Sequence, residues 1–292
     1  MSEVVDYAFT TVNERALAAA GKVAAGRYVG PGSAAKHLTR DEVARLHAAG
    51  LSIWLNVEGA AGDAAAGWSL GISHAGQAEN ARIALGAPAV PLYFAVDFDV
   101  SPGQWPSVRQ YLRGAATVVG FRRVGVYGGV NAVTWADRDA CAAWFFQTYA
   151  WSGGRWFPGN HLEQYHNGVA LAGGTVDLGR AKQANYGQWA PAGTPTPAED
   201  DMLKFVRVSD GSTPGAVWLT NGVSRYHIPD PGAYAIALKT WGQTTSDVVS
   251  IREAELPAYG ADISATGPGG SGPSTGQIAD AVVDEMHNRL AN

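Results

Sequence analysis

Leu92-Tyr93-Phe94-Ala95-Val96-Asp97-Phe98-Asp99 is the stretch on which the reading of this chain turns. An apolar run ending in acids reads as a buried strand that delivers polar groups to one end of a sheet. Asp97 and Asp99 stand two residues apart, so an extended backbone points both carboxylates to the same side. Seven further segments have strand character: Val4–Phe9, Ala25–Val29, Ser52–Val57, Val124–Tyr127, Ala143–Tyr149, Leu162–Tyr165 and Gly174–Leu178. Ala-rich stretches with helical spacing lie between several of them. In one, Thr39 is the expected N-cap and Glu42 the N3 partner of a capping box, and Gly50 stops the helix. Others are expected over 71–86 and 102–120, with Ser101 as the N-cap of the second. Alternating strands and helices predict an α/β fold, a compact (β/α)8 TIM barrel. With so short a chain some helices must be short or missing. A flavodoxin-like doubly wound sheet is the competing arrangement.

Asp6, Glu58 and Asp177 end or follow three other strands, so four strands bring acids to one mouth. Unpaired carboxylates repel, and a gathering of them predicts a partner such as sugar hydroxyls, a metal ion or protons. Two close carboxylates are expected to separate in pKa, one donating a proton while the other stays ionised. Asp97, Asp99, Glu58, Asp6 and Asp177 are therefore the candidate catalytic residues. Tyr28, Tyr127, Gln147, Tyr149, Gln164 and Tyr165 supply amide and phenol groups in the same register and are the candidate substrate-binding residues. Trp151, Trp156 and Trp189 are candidates for the lining of a groove. With 10 Trp and 11 Tyr the chain is well supplied with rings that can pack on a pyranose.

Composition excludes several alternatives. The 292 residues carry a formal net charge of −5 without a basic run, which argues against nucleic acid or an anionic membrane as partner. No apolar stretch is long enough to span a bilayer. The N-terminus does not read as a signal peptide, so synthesis in the cytoplasm and another route to the outside are expected. The lone cysteine, Cys141, permits no internal disulfide and reads as a buried thiol. The seven histidines lack HExxH or paired-ligand spacing, and no Gly-rich segment is a P-loop. No cofactor and no metal are expected.

Beyond a barrel over residues 1–188, a Pro-rich linker is expected over 189–201. A small strand-rich module follows over 202–262, with Asn221-Gly222 as a hairpin turn and a short helix over Pro231–Trp241. A flexible linker is expected over 263–276 and an amphipathic helix over 277–292, whose apolar stripe would pack on a second copy or a particle partner.

Roughly residues 3–187 resemble the glycoside-hydrolase-like TIM-barrel family called domain of unknown function 1906, itself similar to the family 25 muramidases. The resemblance rests on Asp6, Gly26-Arg27-Tyr28, the helix LTRDEVARLHAAGL at 38–51, YFAVDFD at 93–99, VGVYGG at 124–129 and VDLGRA at 176–181. In the muramidases the fourth strand ends Asp-x-Glu, the Glu serving as general acid. The resemblance puts Asp99 in that place, one methylene shorter, with Asp97 as partner and Glu58 as a second candidate acid. It implies a glycosidase directed at peptidoglycan. Barrel, linker and small module together resemble actinobacteriophage lysins, which act at the bacterial wall after release or as part of a particle. The alternative is a catalytically inactive glycan-binding or structural component of a phage or injection particle.

Overall fold

The computed structural model describes residues 1–194, 204–220, 224–228, 248–259 and 261–262. The chain divides into two compact units, Met1–Asp200 and Asp201–Asn292. In the first, eight strands close into a barrel in chain order. They are β1 (Ser2–Asp6), β2 (Ala24–Tyr28), β3 (Ser52–Val57), β4 (Leu92–Val96), β5 (Val124–Gly128), β6 (Trp144–Thr148), β7 (Leu162–Leu171) and β8 (Gly174–Ala181). All eight expected strands are present, and the doubly wound alternative falls away because the sheet is closed.

Around the barrel lie α1 (Glu14–Ala19), α2 (Arg40–Ala48), α3 (Trp68–Leu85), α4 (Trp105–Val119) and α5 (Val130–Arg138). Thr39 caps α2 as expected, its Oγ1 accepting from the Glu42 N–H at 3.2 Å. Glu42 does not complete a capping box. Its carboxylate instead accepts from Arg27 Nε at 2.7 Å and the Tyr7 hydroxyl at 2.9 Å. Helix α4 begins after Gln104, not Ser101, because the Gln104 Oε1 accepts from both the N–H and the hydroxyl of Ser101 and holds that segment in a turn.

Strands β1 to β7 pair in parallel, but β8 runs antiparallel to both β7 and β1. The eighth unit is thus not a βα repeat. Ala172 and Gly173 join β7 to β8 with φ of 53° and 84°. Two consecutive left-handed residues make the tight hairpin turn whose twist matches antiparallel strands, and no crossover to a parallel strand fits in two residues. No α-helix separates β6 from β7 either. The barrel is TIM-like with its last three strands bare of α-helices.

Trp54, Tyr93, Phe146 and Leu162 fill the interior together with Val4, Ala24, Ala181 and Tyr186. Trp54 meets Phe146 edge to face at 5.8 Å between ring centres. Gly26 of β2 makes room for it: a Cβ there would fall 2.4 Å from the Trp54 ring. Trp189, expected to open the linker, belongs to the barrel, since its backbone pairs with Ile53 through bonds of 2.6 and 2.9 Å.

The second unit holds a five-stranded sheet in the order β12-β9-β10-β11-β13. These are β9 (Lys204–Val208), β10 (Val217–Thr220), β11 (Ser224–Ile228), β12 (Val249–Ile251) and β13 (Ala261–Asp262). The central three are antiparallel, while β12 and β13 join the edges in parallel. This agrees with the strand-rich module expected there. The Asn221-Gly222 turn, the helix over 231–241, the linker over 263–276 and the helix over 277–292 lie outside the described residues, as do positions 195–201 of the first linker.

Candidate active site at the barrel mouth

A cavity of about 230 Å³ opens where the parallel strands end. It is lined by Tyr28, Asn56, Glu58, Ala95, Asp97, Tyr127, Phe146, Gln164, Asn167 and Asp177. Strand alternation explains most of the set. Asn56 and Glu58 are two apart around the end of β3, as are Ala95 and Asp97 around the end of β4.

Two walls face each other, since β4 and β8 lie four strands apart in a barrel of eight. On the β8 wall the Gln164 amide donates to Asp6 Oδ2 at 3.2 Å and to Asp177 Oδ2 at 3.1 Å. Its Oε1 accepts from the Tyr127 hydroxyl at 2.9 Å. The Gly168 N–H donates to Asp177 Oδ1 at 2.8 Å. Asp6 is buried and is the register partner of Asp177. Burial, and then the Asp177 charge, push its carboxyl well above the usual range, with only part of this returned by Gln164. Burial likewise raises Asp177, against the pull of the Gly168 N–H.

On the opposite wall the buried Lys36 donates to Glu58 Oε2 at 2.8 Å, its ammonium 5.0 Å from the centre of the Tyr28 ring. Asp97 lines the same cavity as Glu58, and its carboxyl is raised first by burial and then by the Glu58 charge, with Lys36 opposing. Burial and the surrounding acids raise Tyr28 and Tyr127, so both phenols remain donors. Asn56 is 4% exposed and its Oδ1 has no hydrogen-bond partner among the described residues. A buried amide left open in this way is available to an incoming hydroxyl or amide. The mouth can therefore hold a proton on one wall and accept many hydrogen bonds from a polyol. Among the described residues no group of His, Cys, Asp or Glu is arranged to hold a metal ion, and no helix is long and apolar enough to cross a membrane.

Of the residues expected from sequence, Asp6, Glu58, Asp97, Asp177, Tyr28, Tyr127 and Gln164 come together here. Four do not. Asp99 is exposed and does not line the cavity. Strand β4 ends at Val96, so the alternation that would pair Asp99 with Asp97 has lapsed, and the neighbour that perturbs Asp97 is Glu58. Gln147 is fully buried, its amide bonded to Ser152, Arg155, Phe157 and Asn160. Tyr149 is exposed, and the Tyr165 hydroxyl donates to Glu3 at 2.5 Å rather than into the cavity. Among the groove candidates, Trp189 packs edge-on against His47 and Trp156 lies under the Arg180 guanidinium. Sequence reading missed Asn56, Asn167, Phe146 and Lys36. Asn56 was within reach, two residues before Glu58 on the same face. Lys36 carried no signal, because its approach to Glu58 depends on the 3-10 turn Ala34–Lys36 beyond β2.

The family model described as "Rv2525c-like, glycoside hydrolase-like domain" matches residues 15–183. The Mycobacterium tuberculosis protein "Putative peptidoglycan hydrolase Rv2525c" is 30% identical over 204 residues, spanning 65% of this chain and 85% of its own length. The crystal structure of the Tat-secreted Rv2525c of that organism with L-tartrate superposes with a TM-score of 0.61 at 29% identity, over 65% of this chain and 99% of that one. A lysozyme from Streptomyces coelicolor is more distant, at 14% identity and a TM-score of 0.46 over 62% of this chain and 92% of its own. With more than half of its length matched, including seven of the eight barrel strands, the chain belongs to the Rv2525c-like, glycoside hydrolase-like domain family.

Proposed function

We propose that the barrel hydrolyses a glycosidic bond of peptidoglycan, with Asp97 as proton donor and Glu58 as its carboxylate partner. The observation that carries this is that Asp97 shares the cavity with a Glu58 that is tied to the buried Lys36. Burial and the neighbouring carboxylate favour the protonated form of Asp97, as a general acid at neutral pH requires. Asp97 gives its proton to the glycosidic oxygen as the C–O bond breaks, and the site carboxylates face the positive charge that develops on the ring. Water completes the cleavage at the anomeric carbon, losing its proton to a carboxylate. Asp6, Gln164 and Asp177 order the facing wall, while Tyr28, Tyr127 and Asn56 bind sugar hydroxyls or an acetamido group.

Membership of the family and the relative named as a peptidoglycan hydrolase support the substrate. The secreted relative supports action at the cell wall. In this reading the module over 202–262 holds the protein on the wall as in a lysin of an actinobacterial phage, and the stripe at 277–292 meets a second copy or a particle. Turbidity clearing of bacterial walls with release of reducing ends is expected of the native protein. Asp97→Asn and Glu58→Gln should each lower the rate by about a hundredfold or more, while melting temperatures stay within a few degrees.

A second reading draws on Asp99. The position where a muramidase carries its acid lies outside the cavity, which favours a barrel that binds glycan without cutting it. Retention on walls with no release of reducing ends, indifferent to Asp97→Asn, would establish that reading instead.

A further inference from the structure

Trp151 stands in a conformation that costs a bulky residue free energy. Its φ is 56°, in the left-handed region where an L side chain crowds its own backbone, and the residue is 40% exposed. Neither outcome is what folding alone selects, since a glycine would remove the strain and a buried ring would gain apolar contact. Such strain persists only where the surroundings over-determine it.

They do so here. The loop that follows β6 is built around the buried Gln147. Its amide nitrogen donates to Ser152 Oγ at 3.0 Å and to the Arg155 carbonyl at 2.7 Å, and its Oε1 accepts from the Phe157 N–H at 2.8 Å and the Asn160 amide at 2.9 Å. The Ser152 hydroxyl, beside Trp151, donates to the Thr148 carbonyl at 2.6 Å and accepts from the Val130 N–H at 3.0 Å. The loop is thus clamped on both sides of Trp151, while no hydrogen bond or ring contact engages the indole among the described residues.

Its place is the rim of the cavity. The Tyr149 N–H donates to the carbonyl of Gln164, a cavity residue, at 2.9 Å. A Cβ at Gly129 would come within 3.2 Å of the Trp151 Cβ, so Trp151 sits over the turn two residues past Tyr127, another cavity residue. Tyr149 is itself 45% exposed. Two open aromatic rings therefore flank the mouth on the β5–β7 side, on a rigid loop.

We propose that Trp151, with Tyr149 beside it, is an outer saccharide subsite: a stacking platform for the apolar face of a pyranose in the strand whose next units enter the cavity. Gln147 is the positioning residue that holds it. A rigid aromatic with few rotamers to freeze suits this task, since the ordering cost is met during folding rather than at binding. The proposal rests on the glycan reading of the cavity and extends it outward.

The test uses the full chain and an N-acetylglucosamine hexasaccharide, with binding followed by calorimetry. Trp151→Gly and Trp151→Ala should both weaken binding by about tenfold. Only Trp151→Gly relieves the backbone strain, so its melting temperature should equal or exceed that of the native protein, while Trp151→Ala should not gain. Loss of binding with gain or retention of stability is a signature that a merely structural tryptophan would not produce. Native affinity in Trp151→Gly, a large fall in its melting temperature, or no binding of the hexasaccharide by the native protein overturns the platform. Cleavage is read separately: if reducing ends never appear yet Trp151 governs binding, the hydrolase reading fails and the platform stands.

Discussion

At the scale of single residues, Lys36 is the cation that balances the acids Glu58 and Asp97. Lys36 is buried against Glu58 and Tyr28, and its charge is the one influence named here that pulls the Asp97 carboxyl down. Removing it leaves burial and the Glu58 charge unopposed, so Asp97 should hold its proton to higher pH. In Lys36→Met the alkaline limb of kcat/KM is expected to move upward by about one pH unit, while Lys36→Arg leaves it in place. A limb that does not move in Lys36→Met would mean that Lys36 has no part in setting the proton. The same scale separates what could be read from what could not. Asp6, Glu58, Asp97 and Asp177 were legible because strand ends converge in any barrel. Asp99 was misleading because alternation holds only while the strand continues, and β4 stops at Val96.

Among the elements, α3 is tied to the turn ahead of β5 by Glu79. Its carboxylate accepts from Arg82 Nε at 2.8 Å and from Arg123 Nη2 at 2.6 Å. Burial pushes Glu79 up, but the two guanidiniums prevail and hold it at about 2. A carboxyl depressed in the folded state stabilises fully above its unfolded value, and this contribution is lost as pH falls through the folded value. Glu79→Gln should therefore cost on the order of 2 kcal/mol at neutral pH, discounted for partial exposure, and close to nothing near pH 2. Urea titrations of both proteins between pH 7 and pH 2 measure this, and two parallel stability curves would contradict it. Elements also differ in how openly the chain declares them. The capping residue Thr39 announced α2, and apolar runs announced the parallel strands. The reversal of β8 was concealed, because Ala172-Gly173 is an unremarkable pair until both residues are seen at positive φ. The short helices α1 and α5 were not singled out either; each lies between strands that themselves were read correctly.

For the whole molecule, the chain forms two compact units, and the family match lies within the first. Each has its own buried residues: Trp54, Tyr93 and Phe146 in the barrel, Val206, Ile251 and Tyr259 in the second unit. Separate cores imply separate unfolding. Protein ending at residue 200 should keep the barrel's melting transition and its turnover of soluble glycan fragments, yet sediment with intact walls several-fold less than the full chain. Equal sedimentation would remove the wall-holding role from the second unit.

By itself the sequence determined an α/β arrangement of buried strands with acids at their ends, and the tertiary structure decided that the sheet closes rather than lying open. Runs of apolar residues can be buried on both faces only in a covered sheet, and such strands direct their terminal side chains to a common end. Only the tertiary structure decided which acids share that space. Whether Glu58 shares a cavity with Asp97, whether Lys36 pairs with Glu58, and whether Gln147 touches substrate or clamps a loop all depend on where strands stop and how loops fold back. Those contacts join residues distant along the chain, such as Gln164 and Asp6, and no local pattern carries their distances.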